Sequence, residues 1–190
     1  MNSRHLLRLP ILILLTLVLA IAANAAPPLN RVPTVGHKGA SWFFSDADGK
    51  PLVSIGVTTA TFQGQSIRNT KVFPYGDACR KKHSTEEAWR KATAERLLAW
   101  GFNTAGPWSD AKLAAEETGG RRMLWTQDLD FGSSFAEKGG DVFMAWVHGG
   151  PPDLFDPAFE AHCRERAKER CAPHRDDPQL LGYFVDNELR

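Results

Sequence analysis

The stretch Leu180-Leu181-Gly182-Tyr183-Phe184-Val185-Asp186-Asn187-Glu188 is an apolar run that stops abruptly at three polar residues. Its length and composition predict a buried strand. Three polar groups at the end of an apolar strand are costly unless they are hydrogen-bonded or used. In a parallel barrel, that carboxyl end is where active sites are built. Asp and Asn also favour helix starts, so on these residues alone a solvated strand end that opens a helix is an equal competitor.

Working outward, Asp156-Pro157 opens a helix, with proline in the first turn where its missing N–H costs nothing. Phe159, His162, Cys163 and Ala167 mark its inner face, Pro173 lies beyond its end, and Asp177-Pro178 leads into the apolar strand. Upstream, residues 122–126 predict another strand, and the short apolar segment 141–147 predicts a further strand or a loop wall. Ser109-Asp110 is expected to cap a helix running through Glu117 and ended by Gly119-Gly120. Before it, residues 102–105 read as a short strand following a strong helix. That helix begins at a capping box, Ser84 with Glu87, carries the stripe Trp89, Ala92, Arg96, Leu97 and Trp100, and stops at Gly101.

Residues 63–82 lack periodicity and read as a long loop. Residues 56–59 are β-branched enough to start the larger sheet, and Asp46-Ala47-Asp48-Gly49 predicts a hairpin turn between strands at 41–44 and 51–55. Residues 26–40 read as a Pro-containing extended leader. Strand and helix alternate, which places the chain in the α/β class with parallel strands covered by helices. Four parallel strands with no covering element after the last make an awkward stopping point. The expectation is therefore a partial (β/α)8 TIM barrel over 41–190, about the first four strand–helix units of a truncated catalytic barrel, preceded by a short hairpin. A small complete sheet is the alternative.

The composition narrows the function class. Among 190 residues, 23 Lys and Arg stand against 22 Asp and Glu, with 43% hydrophobic and 10% aromatic residues. These proportions exclude a disordered tail and a collagen-like fibre. Without a basic excess, a nucleic-acid partner is not expected. Residues 1–25 form a signal peptide: Arg4 and Arg8 lead an apolar core that ends in Ala23-Asn24-Ala25. The core is shorter than the roughly 20 residues of a membrane span, so the expectation is a secreted or periplasmic protein with no stable membrane span after cleavage.

Cys163 and Cys171 are eight apart in one helical pattern. That is about 12 Å along an unbroken helix and beyond disulfide reach. A bond from Cys79 to either of them and three buried thiols are both open readings. No cysteine pair has zinc-site spacing, and there is no GxGxxG, P-loop or HExxH, so no cofactor or metal is expected. Gly149-Gly150-Pro151-Pro152 fails as a phosphate loop because proline has no N–H to donate. Arg80, Lys81, Lys82 and His83 read as a solvated basic cluster.

The run from Asp177 to Glu188 resembles the fourth strand of clan A glycoside hydrolases, the retaining (β/α)8 glycosidases. Two further pieces are similar: Trp100-Gly101-Phe102-Asn103-Thr104, and Asp153-Leu154-Phe155-Asp156-Pro157-Ala158-Phe159. In this order they most resemble the agarase and β-galactosidase-like members. The resemblance implies that Glu188 is the catalytic acid/base. It would protonate the leaving oxygen and then deprotonate water. It implies that Asn187 bonds the sugar 2-hydroxyl, and that a second carboxylate, the nucleophile, comes from the seventh strand of such a barrel.

Because alternate strand residues face opposite ways, Asn187 and Glu188 can both face a sugar only if the strand kinks or ends by Asn187. Trp108 is the expected sugar platform, and His148 and Asp186 are further candidate substrate contacts. Trp125 and Trp146 are weaker platforms, and Trp89 and Trp100 are read as packing. The function expected is hydrolysis of O-glycosidic bonds in a polysaccharide or oligosaccharide, agarase-like, with these residues alone inactive. The alternatives are a non-catalytic carbohydrate-binding or structural protein on the same scaffold, and a clan A endo-glycanase acting on mannan or cellulose.

Overall fold

The structure is a computed structural model, and it describes residues 33–46, 48–139, 153 and 155–187. The signal peptide, the segment 141–147 with Trp146, His148 and Glu188 lie outside the described residues. The described residues form two sheets. The first is antiparallel and three-stranded, ordered β1 (Thr34–Lys38), β2 (Ser41–Ser45), β3 (Pro51–Leu52). The second is parallel and four-stranded, ordered β4 (Gly56–Val57), β5 (Thr104–Ala105), β6 (Leu124–Asp128), β7 (Leu180–Phe184). Its spatial order is its chain order, and every neighbouring pair is parallel. Mixed α/β architecture with a parallel sheet is what the strand–helix alternation implied.

The small sheet is the expected hairpin with an added strand. Phe44 pairs with Leu52 and Ser45 with Pro51, and the Asp46 carboxylate closes the turn by accepting from the amides of Asp48 and Lys50, both at 2.9 Å. Part of the extended leader is itself a strand: Thr34–Lys38 pairs antiparallel along the whole of β2.

Among the described residues four α-helices lie between strands: α1 (Pro74–Lys82), α2 (Glu86–Ala99), α3 (Phe131–Glu137) and α4 (Pro157–Cys171). The first corrects the loop expected over 63–82. Only Gly76 and Cys79 of α1 are buried, so no hydrophobic stripe reveals it. Its signals are electrostatic, with Pro74 and Asp77 at the start and Arg80, Lys81 and Lys82 at the end, matching the helix dipole.

The α2 cap is Thr85, whose hydroxyl accepts from the Ala88 amide at 3.0 Å, and not Ser84. Its buried face is Trp89, Thr93, Ala94, Leu97 and Leu98. Arg96 and Trp100 therefore leave the expected stripe. Trp100 is 67% exposed, beyond the end of the helix, with the Arg96 guanidinium 5.6 Å from its ring. Gly101 takes φ +88°, the left-handed turn-off that glycine makes at low cost.

The helix expected over 110–117 is instead a 3-10 turn, Ala111–Ala115. Asp110 does cap it, through Lys112 at 2.9 Å. Arg90 of α2 holds this turn with ion pairs to Asp110 (3.3 Å) and Glu116 (3.8 Å). Helix α4 starts at Asp156 and Pro157 as expected, and His162 is its buried residue. The core gathers Trp89, Ala94, Leu97, Leu98, Ala105, Leu113, Met123, Trp125 and Leu180, with Trp89, Leu113 and Met123 wholly enclosed. All three cysteines are free; Cys79 is buried, and Cys163 and Cys171 are half-buried.

Candidate active site

The carboxyl ends of the four parallel strands converge on a cleft of about 830 Å³, lined by Thr59, Gln65, Trp108, Asp130, Ser133, Ser134, Ala136, Glu137, Arg166 and Asn187. A chain of lateral hydrogen bonds builds its rim, each joining one strand end to the next. From β4 to β5, Thr59 donates to the Pro107 carbonyl (3.0 Å), and the Ala60 amide donates to the Ser109 hydroxyl (3.1 Å). Gly106 lets β5 approach this closely, since a Cβ there would sit 3.0 Å from the Val57 carbonyl oxygen. From β5 to β6, the Trp108 amide donates to Asp128 Oδ2 at 2.8 Å. From β6 to β7, Leu129 donates to Phe184 (2.8 Å) and Phe131 to Val185 (3.0 Å).

The rim is strained. Thr59, Trp108 and Asp130 occupy left-handed backbone at φ +56°, +57° and +49°, each just past the end of one of three successive strands. Left-handed geometry costs a non-glycine residue energy, most of all a β-branched one, and such outliers gather at functional sites.

Strand β7 ends at Phe184, so Asn187 lies beyond the ladder in a bend, and it lines the cleft. The end of the strand is less buried than its sequence implies. Leu180 is buried, but Tyr183 and Phe184 are each 42% exposed because no described strand pairs beyond β7. Trp108, the expected platform, is 41% exposed and lines the cleft. Trp125 is core: it is 4% exposed, donates its indole N–H to Asp177 (3.1 Å), and packs edge-on against His174.

Asp186 is half-buried and committed to α3. Both its carboxylate oxygens accept from the Gly132 amide at 3.0 Å, and one also accepts from Ser133 at 3.4 Å. In these contacts it caps the helix. The residue at the N-cap position of α3 is Asp130, whose own side chain makes no capping bond and instead lines the cleft. No pattern in the chain separates its role from that of Asp186, because the exchange depends on β7 lying beside the start of α3.

The electrostatics follow from this crowding. Burial, then the negative charge of Asp128, then that of Asp186 hold the Asp130 carboxyl above its ordinary range, while Arg166 and Arg170 oppose the rise. Arg166 is fixed by donating its Nε–H to the Leu129 carbonyl at 2.6 Å. Behind Ser134, the His162 ring meets the serine hydroxyl at 2.8 Å. Burial, then the positive charges of Lys138 and Arg166, lower its proton affinity and favour the neutral imidazole. Among the described residues no group of three or more His, Cys, Asp or Glu is placed to hold a metal ion, and no helix is long and apolar enough to cross a membrane.

No family model matches the chain. It is similar to β-agarase A of Vibrio sp. (strain JT0107), with 30% identity over 134 residues, covering 67% of this chain and 12% of that protein. It is also similar to β-agarase B of the same organism, with 28% identity over 131 residues, covering 65% of this chain and 13% of that one. Among solved structures it matches the agarase AgWH50C with a TM-score of 0.57 and 17% identity, covering 87% of this chain and 30% of that chain. The chain thus spans about an eighth of the length of these curated relatives.

Proposed function

We propose that this chain, which is homologous to the β-agarases, carries the acid/base end of a retaining glycoside hydrolase that cleaves a neutral galactan of the agarose type. The observation that carries the reading is the cleft at the carboxyl ends of four parallel strands, rimmed by Trp108, Asp130 and Asn187, in a chain related to β-agarases. Sequential strand order and wholly parallel pairing support extending the sheet to a (β/α)8 barrel.

In this reading Trp108 offers a flat apolar face to a sugar ring. Asn187 bonds the hydroxyl beside the reacting carbon, where the contact tightens as charge develops. Glu188, the next residue, donates its proton to the departing glycosidic oxygen and then takes one from water. The retaining course requires a carboxylate nucleophile about 5–5.5 Å from the acid. No residue of the sequence segments that carry the resemblance corresponds to it. The signal-like segment 1–25 supports export, checked by sequencing the mature N-terminus for a start at Ala26.

The test is Glu188→Gln in the full-length protein. Agarose hydrolysis should fall by about 10²–10⁴, the usual contribution of a positioned acid, while oligosaccharide binding persists. Hydrolysis at the wild-type rate refutes the acid role.

A further inference from the structure

We propose that Asp130 is the specificity-determining carboxylate of this cleft. It accepts the hydroxyl protons of a neutral sugar and rejects sulfated galactans, and it is free to do so because Asp186 caps α3 in its place. The inference rests on the glycosidase reading above and adds a residue and a selectivity to it.

An aspartate at a helix N-cap ordinarily turns its side chain back onto the first free amides of its own helix. Asp130 holds that position on α3 and makes no such bond. The amides of Gly132 and Ser133 are satisfied by Asp186, two residues past the end of β7. The Asp130 backbone is left-handed, at φ +49°, and its side chain lines the 830 Å³ cleft with Trp108, Arg166 and Asn187. One carboxylate has therefore been relieved of a local duty by a second one brought in from beyond β7. Its left-handed backbone, which aspartate adopts more readily than most residues, presents it to the open space.

The surroundings define the ligand. Arg166 also lines the cleft, its Nε–H spent on the Leu129 carbonyl. Asp130 accepts, Arg166 donates, Asn187 does both, and Trp108 supplies an apolar face: this set fits a neutral polyhydroxyl ring. Asp130 and Glu137 set two negative charges on the cleft wall against the one positive charge of Arg166, so a sulfate ester at the same place meets net like charge, which discriminates against it.

The experiment compares wild type, Asp130→Asn and Asp130→Gly of the full-length protein. Calorimetry measures affinity for a neutral agaro-oligosaccharide and for its sulfated counterpart, and melting temperature is followed alongside. Asp130→Asn should weaken neutral binding by about tenfold or more, as for loss of a charge-assisted hydrogen bond, and should shrink the neutral-to-sulfated preference. Asp130→Gly should lose the same affinity while melting no lower than wild type, because glycine adopts this backbone without strain. The inference is overturned if both variants keep wild-type affinity and preference. It is also overturned if affinity is lost only in proportion to lost stability. If the wild type itself binds neither ligand, the glycosidase reading fails before Asp130 is tested.

Discussion

Truncating Asp186 to alanine isolates the contact on which the division of labour between the two aspartates depends. The substitution removes the acceptor for the Gly132 amide, bonded at 3.0 Å to both oxygens, and for the Ser133 amide at 3.4 Å. Replacing a capping side chain by alanine costs about 0.5–2 kcal/mol, and loss of a negative charge at a helix start costs about 0.3–1 kcal/mol. Two effects offset these losses. Water can reach part of the exposed first turn, and removing Asp186 relieves its repulsion of Asp130. The net expectation is about 1–2 kcal/mol. At about 2–4 °C per kcal/mol for a chain of this size, the melting temperature should fall by about 2–8 °C. Circular dichroism melts give the stability, and hydrogen exchange locates the defect. Protection should drop at Gly132 and Ser133, and at Ser134, whose amide closes the first turn on the Asp130 carbonyl at 2.9 Å. Asp186→Asn keeps one acceptor and should lose less. A melt within about 1 °C of wild type with unchanged exchange would show that α3 holds its own start. Lost saccharide affinity at unchanged stability would return Asp186 to the role of ligand contact.

Two further outcomes come from the core and two from the rim. Trp89→Ala should cost about 3–5 kcal/mol, read by denaturant titration, since the ring is wholly enclosed and meets Phe62 edge-on at 5.9 Å. His162 binds its proton less tightly folded than unfolded, so its contribution is intact above about pH 6.5 and is lost as the pH falls below it. Melts at pH 7.5 and pH 5 should show that loss, and His162→Gln should flatten it. Trp108→Ala should weaken oligosaccharide binding by about tenfold or more, from the aromatic area no longer covered, with little change in melting temperature. Thr59→Gly should melt at or above wild type, because it releases a β-branched residue from φ +56°, while turnover falls as the rim loosens; a lower melting temperature would refute strain at that position.

The sequence made legible those elements whose signals are local. Asp156-Pro157 announces α4, Gly101 the end of α2, and the Asp46 turn its hairpin, and each cap is a contact between residues a few positions apart. Helix α1 was hidden because its buried surface is little more than Gly76 and Cys79, so nothing repeats with helical period. The segment after Asp110 carried a valid cap but could not reveal that only one 3-10 turn would follow, since Thr118 and Arg121 close the chain on themselves almost at once. At the site, the polar end of β7 was readable and its placement of Asn187 follows from the strand stopping at Phe184. The exchange between Asp130 and Asp186 was not, because it joins residues more than fifty positions apart. It depends on β6 and β7 being neighbours in register.

The lateral bonds explain how three strained residues can persist side by side. A residue in left-handed backbone costs about 1–3 kcal/mol and survives only where its surroundings over-determine it. Thr59 is pinned to β5 through Pro107, Trp108 is pinned to β6 through Asp128, and the segment after Asp130 is pinned to β7 through Val185 and Asp186. Each strand end is thus held by its successor. Asn69, the remaining non-glycine outlier among the described residues, sits in a local turn closed by Thr70 and Ile67, and asparagine, like the aspartate at 130, tolerates this backbone better than threonine or tryptophan does. Glycine at 59, 108 and 130 would relieve the strain at the rim at the loss of the side chains that face the cleft. Retaining a threonine, a tryptophan and an aspartate there, against that local gain, is what a binding rim requires and what a structural loop does not.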